Sequence, residues 1–108
     1  MNILPRQLCQ AAITGSNATV YTVPASTTAF LKCFDVCNTT AGDLTVNVHI
    51  VASGGSAGTT NALYYTYTVT AHTTFHWTGA QVMTAGMLLV VKGSSTGMTI
   101  TASGGEAT

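Results

Sequence analysis

The stretch from Tyr21 to Thr40 constrains this chain more than any other. Residues 19–23 and 29–37, rich in β-branched and aromatic side chains, flank a Pro24-Ala25-Ser26-Thr27-Thr28 corner, and an Asn38-Thr39-Thr40-Ala41-Gly42-Asp43 turn follows. Proline fixes its own φ and has no N–H to give a sheet, so Pro24 ends the first run and bends the chain before the second. Asn, Thr, Gly and Asp tolerate left-handed backbone or cap it with their own side chains, which makes residues 38–43 a turn. Strand, corner, long strand and polar turn in succession predict a β-sandwich.

The rest of the chain repeats that grammar. Residues 10–14 read as a short strand, ended by Gly15-Ser16-Asn17. Leu44, Val46, Val48 and Ile50 alternate with Thr45, Asn47 and His49, the period-2 pattern of a half-buried strand. Residues 53–60, rich in Gly and Ser, form a flexible loop before a strand at 63–70. In that strand Leu63, Tyr65, Tyr67 and Val69 are expected on the core face, and Tyr64, Thr66, Thr68 and Thr70 on the other. A short strand is expected at 74–77 and others at 87–92 and 98–102, with turns at 84–86 and 93–97. The Ser103-Gly104-Gly105-Glu106 tail is expected to fray.

No segment sustains a helical period. About eight short strands with turns every ~8–12 residues predict a single all-β domain, an antiparallel β-sandwich of immunoglobulin-like or jelly-roll connectivity, with the choice left open. Residues 1–13, in which Ile3, Leu4 and Leu8 surround Pro5 and Arg6, stand apart from the sandwich at 14–108 as an N-terminal arm or an edge strand. Pro5 argues against a regular strand there, so the arm is expected to be ordered by another chain.

Charge excludes several partners. With three Lys or Arg against three Asp or Glu among 108 residues, the net charge is zero. Nucleic acid demands a basic footprint, and an anionic membrane surface attracts one, so neither partner is expected. No apolar run approaches the roughly 18 residues of a membrane span, and residues 1–10 lack the pattern of a signal peptide, so synthesis in a reducing cytoplasm is expected. A near-neutral surface protects poorly against self-association, which favours a protein that works inside an assembly. Cys33 and Cys37, four apart on one strand, lie about 13 Å apart at ~3.3 Å per residue, too far for a disulfide. Together with Cys9 they are expected to be free thiols.

The residues that carry chemistry form no convincing constellation. His72 and His76 are four apart at a loop-to-strand junction, and His49 falls on the polar side of its strand; rim histidines are the better reading than metal ligands. No Cys-x-x-Cys is present, and Gly54-x-Ser56-x-Gly58 and Gly93-x-Ser95-x-Gly97 fall in a loop and a turn with no helical period after them, so neither reads as a nucleophile elbow; no cofactor or metal is expected. Asp43 reads as a turn cap, Asp35 lies mid-strand and Glu106 in the tail. Lys32 and Asp35, an odd number apart, are expected on opposite strand faces. An enzyme needs an activated nucleophile with a base and an orienting acid, so catalysis is not expected. Tyr64, Tyr65, Tyr67, Phe75 and Trp77 are candidates for stacking on a sugar, but core and interface filling suits them better. Interface candidates are Ile3, Leu4, Leu8, Tyr64 and Trp77.

Several segments in order carry a resemblance: residues 18–29 with Tyr21-Thr22-Val23-Pro24-Ala25, then Val36-Cys37-Asn38-Thr39-Thr40, then residues 49–55 ending in Ser53-Gly54-Gly55, then Asn61-Ala62-Leu63. The chain resembles small β-sandwich virion structural proteins of tailed bacteriophages, over roughly residues 8–106. Thr84-Ala85-Gly86-Met87 resembles a later turn of that family, with Met87 in place of the usual acid. The resemblance implies a non-enzymatic virion protein, foremost a capsid decoration or cement protein made in the host cytoplasm. Its partners would be further copies of itself, a trimer for instance, and the major capsid protein or another virion protein. A neck or tail component and a module that binds host-surface glycan are the alternatives.

Overall fold

The computed structural model describes residues 3–108, in eight strands: β1 (Ile3–Ile13), β2 (Ala18–Thr22), β3 (Thr28–Asn38), β4 (Leu44–Val51), β5 (Ala62–Val69), β6 (Thr74–Met83), β7 (Leu88–Gly93) and β8 (Met98–Ala107). A single 3-10 turn (Thr59–Asn61) precedes β5. Two four-stranded sheets form, in the orders β1-β8-β3-β6 and β2-β7-β4-β5, and every pairing is antiparallel. The pairs β1·β8, β2·β7, β3·β6 and β4·β5 are those of one long hairpin, the first half of the chain running against the second. Rolling that hairpin up adds β8·β3 and β7·β4 and produces two facing sheets, which is the jelly roll of the two connectivities the sequence left open.

Between the sheets lies one core containing Leu31, Phe34 and Val36 from β3, Val46 and Val48 from β4, Leu89 and Val91 from β7, and Ile100 and Ala102 from β8. The side between edge strands β5 and β6 is closed by aromatic rings. Phe34 stacks on Trp77 at 5.2 Å, Tyr67 stacks on Phe75 at 4.2 Å, and Tyr64 meets Phe75 edge-on at 4.9 Å. Such pairs add about 0.5–1.5 kcal/mol each beyond the area they bury.

Several expectations are corrected. Residues 3–13 are the edge-strand alternative: β1 pairs with β8 from Ile3↔Ala107 to Ile13↔Met98, and Leu8, Cys9 and Ile13 are buried in the sandwich's own core. No second chain is needed to order them, although Met1 and Asn2 lie outside the described residues. The tail does not fray; residues 103–106 continue β8, the strand between β1 and β3. β6 is longer than expected, reaching Met83.

Two bulges overturn the simple alternation. On β3 the register with both β6 and β8 shifts between Leu31 and Cys33, so Leu31 and Phe34 both face the core although their separation is odd. Lys32 and Asp35 therefore share the outer face, where opposite faces were expected. On β5, Val46 faces Tyr67 while Val48 faces Tyr64, an extra residue on β5. Thr66 takes up the difference at φ 54, a left-handed conformation that costs a β-branched residue roughly 1–3 kcal/mol. Tyr64 consequently turns inward and Tyr65 outward, the reverse of the expected assignment for both.

His49 is also corrected from a solvated rim position to a buried one. It lies with Val51 and Val90 on the outer side of the second sheet, and residues 52–61 fold back over them. Gly55 sits beside the Val51 side chain, and Asn61 Oδ1 is 2.9 Å from His49 Nδ1. Because that oxygen can only accept, and also accepts from the Gly58 N–H, Nδ1 of His49 carries the hydrogen.

Candidate functional site

The outer face of the β1-β8-β3-β6 sheet divides into a polar half and an apolar half. In the polar half, Gln10, Thr101, Asp35 and His76 form one cross-strand row. His76 Nδ1 contacts Asp35 Oδ1, a carboxylate partner that linear spacing concealed. His72 is placed elsewhere, in the turn before β6 at φ 56. Among the described residues no group of three or more His, Cys, Asp or Glu is placed to hold a metal ion.

The apolar half is a trough of about 380 Å³ lined by Ile3, Pro5, Phe30, Lys32, Ala80, Gly104 and Gly105. Its floor is the bare backbone of Gly104 and Gly105. A Cβ at Gly104 would lie 1.7 Å from the Phe30 carbonyl oxygen, so only glycine lets β8 and β3 approach this closely. One wall is Ile3 and Pro5 on the edge strand, and the other is Phe30 with Ala80. Val82, opposite Phe30 in register, extends the apolar surface and is 58% exposed. Ile3 is 62% exposed and Leu4 49%. The Lys32 ammonium at the bulge is the one charge in the lining.

Such a recess offers no nucleophile, no carboxylate and no paired donors; what it offers is apolar surface in a concave shape. Large exposed apolar side chains clustered in one place mark an interaction surface. Pro5 has no N–H to offer at the edge of the sheet, which disfavours extension of β1 by a further strand at this end.

The interface candidates read from sequence separate accordingly. Ile3 is exposed in the trough; Leu4 is exposed too but, alternating with Ile3 and Pro5 on β1, does not line it. Leu8 is buried in the core, and Tyr64 and Trp77 pack against the core from the β5–β6 side. Phe30, Val82 and the two glycines were missed. The signal was present in the consecutive glycines of an otherwise strand-like segment, since Gly within a strand often marks close backbone approach.

The fold shifts the acidity of Tyr21 and of Cys9. Burial, reinforced by the neighbouring Glu106 carboxylate, holds the Tyr21 hydroxyl above its ordinary range. The Cys9 thiol is likewise raised by burial, partly offset by a backbone hydrogen bond from Ala102.

No family model and no curated protein matches the sequence. Among solved structures, the chain is similar to one in the structure of infectious bursal disease virus, Gx strain, with a TM-score of 0.54 and 15% identity. The similarity covers 97% of this chain and 31% of the viral one, so this chain spans less than a third of the length of the one it matches. At that identity the likeness is one of fold: an all-β sandwich that also occurs in a virus structure. Among the described residues no helix is long and apolar enough to cross a membrane.

Proposed function

We propose that this protein is a non-enzymatic structural component of a virus particle, and in particular a capsid decoration or cement protein of a tailed bacteriophage. The observation that carries the reading is the glycine-floored trough: a concave apolar surface on a nearly uncharged jelly roll, lined by strands the fold holds in fixed register. In this reading an apolar side chain or loop of a neighbouring copy, or of the major capsid protein, seats between Ile3 and Phe30. The fold likeness to a chain of a virus structure and the resemblance of the strand-end motifs to phage virion sandwiches support the same reading. The protein would act as a homo-oligomer, such as a trimer, on the virion after synthesis in the host cytoplasm.

Ile3→Asp and Val82→Asp test it, since both positions are exposed and a charge there leaves the core intact. Each variant should fold as the parent does, yet show a lower oligomeric mass in sedimentation velocity and reduced recovery on purified particles. Variants that assemble and attach like the parent would remove the trough from the mechanism. Electron microscopy of labelled particles separates a capsid position from a neck or tail one.

A further inference from the structure

The opposite face of the sandwich carries a second recess with different chemistry. On the outer side of the β2-β7-β4-β5 sheet, a hollow of about 210 Å³ is lined by Thr45, Asn47, Tyr65, Thr66, Lys92, Gly93 and Ser94. Where the trough is apolar, this hollow presents a ring, an amide, an ammonium and hydroxyls. Its ring is Tyr65, which the bulge at Thr66 aims into solvent at 58% exposure.

Three features make the arrangement look built. Thr66 sits in a strained left-handed conformation, and strain of this kind in a β-branched residue persists where surrounding structure enforces it. Asn47 Oδ1 does the enforcing by accepting the Thr66 N–H at 2.7 Å, and bulges commonly re-aim side chains beside functional sites. Behind Tyr65 the buried His49 ring meets it edge-on at 6.4 Å, and His49 is itself fixed by Asn61. The platform is therefore backed by ordered groups.

The polar groups are oriented for a ligand. With its oxygen committed to Thr66, Asn47 has its NH2 to donate. Ser94 Oγ accepts the Thr45 N–H, which leaves the Ser94 hydroxyl hydrogen free to donate outward. Lys92 lies directly across from Asn47 on β7 and makes no ion pair among the described residues. Tyr65 and Lys92 thus flank Asn47 on either side, roughly two strand spacings or about 10 Å apart at the backbone.

We infer that this hollow binds an acidic saccharide, with a sugar ring stacked on Tyr65, ring hydroxyls on Asn47 and Ser94, and a carboxylate on Lys92. An aromatic face takes the C–H face of a sugar, the amide and hydroxyl fix its orientation, and the ammonium selects a carboxylate over a neutral ring. The volume is below the roughly 300–1,000 Å³ of drug-sized sites, so it suits one sugar residue of a longer glycan. Of the five aromatics that the sequence offered for stacking, Tyr65 is the one that lines this hollow, while Tyr64, Phe75 and Trp77 pack against the core. The inference is independent of the trough, which lies on the other sheet.

Full-length protein titrated with 3′-sialyllactose and with trigalacturonate, both carrying carboxylates, and with neutral lactose tests the site by calorimetry and amide chemical shifts. At least one acidic saccharide should bind and move the amides of Asn47, Thr66 and Lys92, while lactose binds at least roughly tenfold more weakly. Tyr65→Ala should weaken binding by roughly tenfold or more, Tyr65→Phe should preserve it, and Lys92→Gln should remove the preference over lactose. Both substituted side chains are exposed, and the amide map of the parent protein locates the site independently of how either variant folds. Absence of binding by both acidic saccharides up to about 10 mM, equal binding of lactose, or binding unchanged in Tyr65→Ala would each overturn the inference. Ile3→Asp should bind the saccharide like the parent, which separates a failure here from a failure of the particle-docking reading.

Discussion

Tyr21 on β2 donates its hydroxyl hydrogen to Glu106 on β8, and the Arg6 guanidinium on β1 lies 3.2 Å from the other oxygen of the same carboxylate. One acid thereby joins the two sheets and ties the edge strand to its neighbour. The aromatic rings close the β5–β6 side of the sandwich, and this polar cluster holds the β1–β2 side. Glu106 is one of only three Asp or Glu residues in the chain, and it is placed where two partners converge.

Tyr21→Phe should therefore cost about 1–2 kcal/mol, because the carboxylate loses a charge-assisted partner. The pH dependence has a definite sign. Folding raises the Tyr21 hydroxyl above its ordinary value, so its contribution is fully present below about pH 10, the unfolded value, and is lost as pH rises further. Urea unfolding at pH 8 and pH 11 should show a loss of stability in the parent that is smaller in Tyr21→Phe. Equal losses in both would place the alkaline sensitivity in other groups that titrate between those pH values.

Gly104→Ala should unfold the protein or destabilise it by more than about 3 kcal/mol. The added methyl meets the Phe30 carbonyl at 1.7 Å, and that oxygen belongs to a central strand that cannot move aside. Gly15→Ala, with nothing within 4 Å of its added methyl, is the matched control and should melt close to the parent. A cooperative melt of Gly104→Ala near the parent temperature would mean that β3 and β8 are further apart than described.

The contrast between those glycines shows what sequence pattern reaches and where it stops. Alternation identified β4 and its core face, Leu44, Val46, Val48 and Ile50, because no bulge interrupts the inward set. The same reasoning placed Val69 correctly but misplaced Tyr64 and Tyr65, because the bulge adds one residue and sets the two sides of Thr66 in opposite phase, and nothing local at Thr66 announces it. Gly104 and Gly105 read as a flexible end because glycine is equally common in loops and at close approaches. Only the partner strands decide between them. The trough was partly legible for a related reason: Ile3 stands out as apolar near the start of the chain, whereas nothing marks Phe30 and Val82 until register sets them opposite each other.

The three thiols should differ in reactivity. All are free: Cys9 is buried, while Cys33 and Cys37 are half-buried on the outer face of β3. Burial raises Cys9 and lowers its thiolate fraction, and the thiolate is the species that alkylates. Native-state labelling with iodoacetamide at pH 8, followed by mass spectrometry, should modify Cys33 and Cys37 first. Cys9 should follow only on the timescale of unfolding. Denatured, non-reduced protein should take up label at all three, and a Cys33–Cys37 disulfide would contradict the strand geometry.

Asn38 is the buried polar side chain on which the β3–β4 turn depends. It is fully buried, with Nδ2 donating to the carbonyls of Gly42 and Val69 at 2.9 Å each, while Oδ1 accepts from the Thr40 N–H and hydroxyl. All its hydrogen-bonding capacity is used, and the network joins the end of β3 to the end of β5. Asn38→Asp keeps the shape and reverses the chemistry: two donors become a carboxylate oxygen facing two carbonyl oxygens. Destabilisation of several kcal/mol is expected at pH 7 from the buried, unsatisfied charge. The deficit should shrink in acid, where a protonated carboxyl can donate one of the two lost bonds. Chemical unfolding of parent and variant at pH 7 and pH 4 measures both effects. A deficit that is small, or that does not change between the two pH values, would show that the Asn38 donors are not what holds this turn to β5.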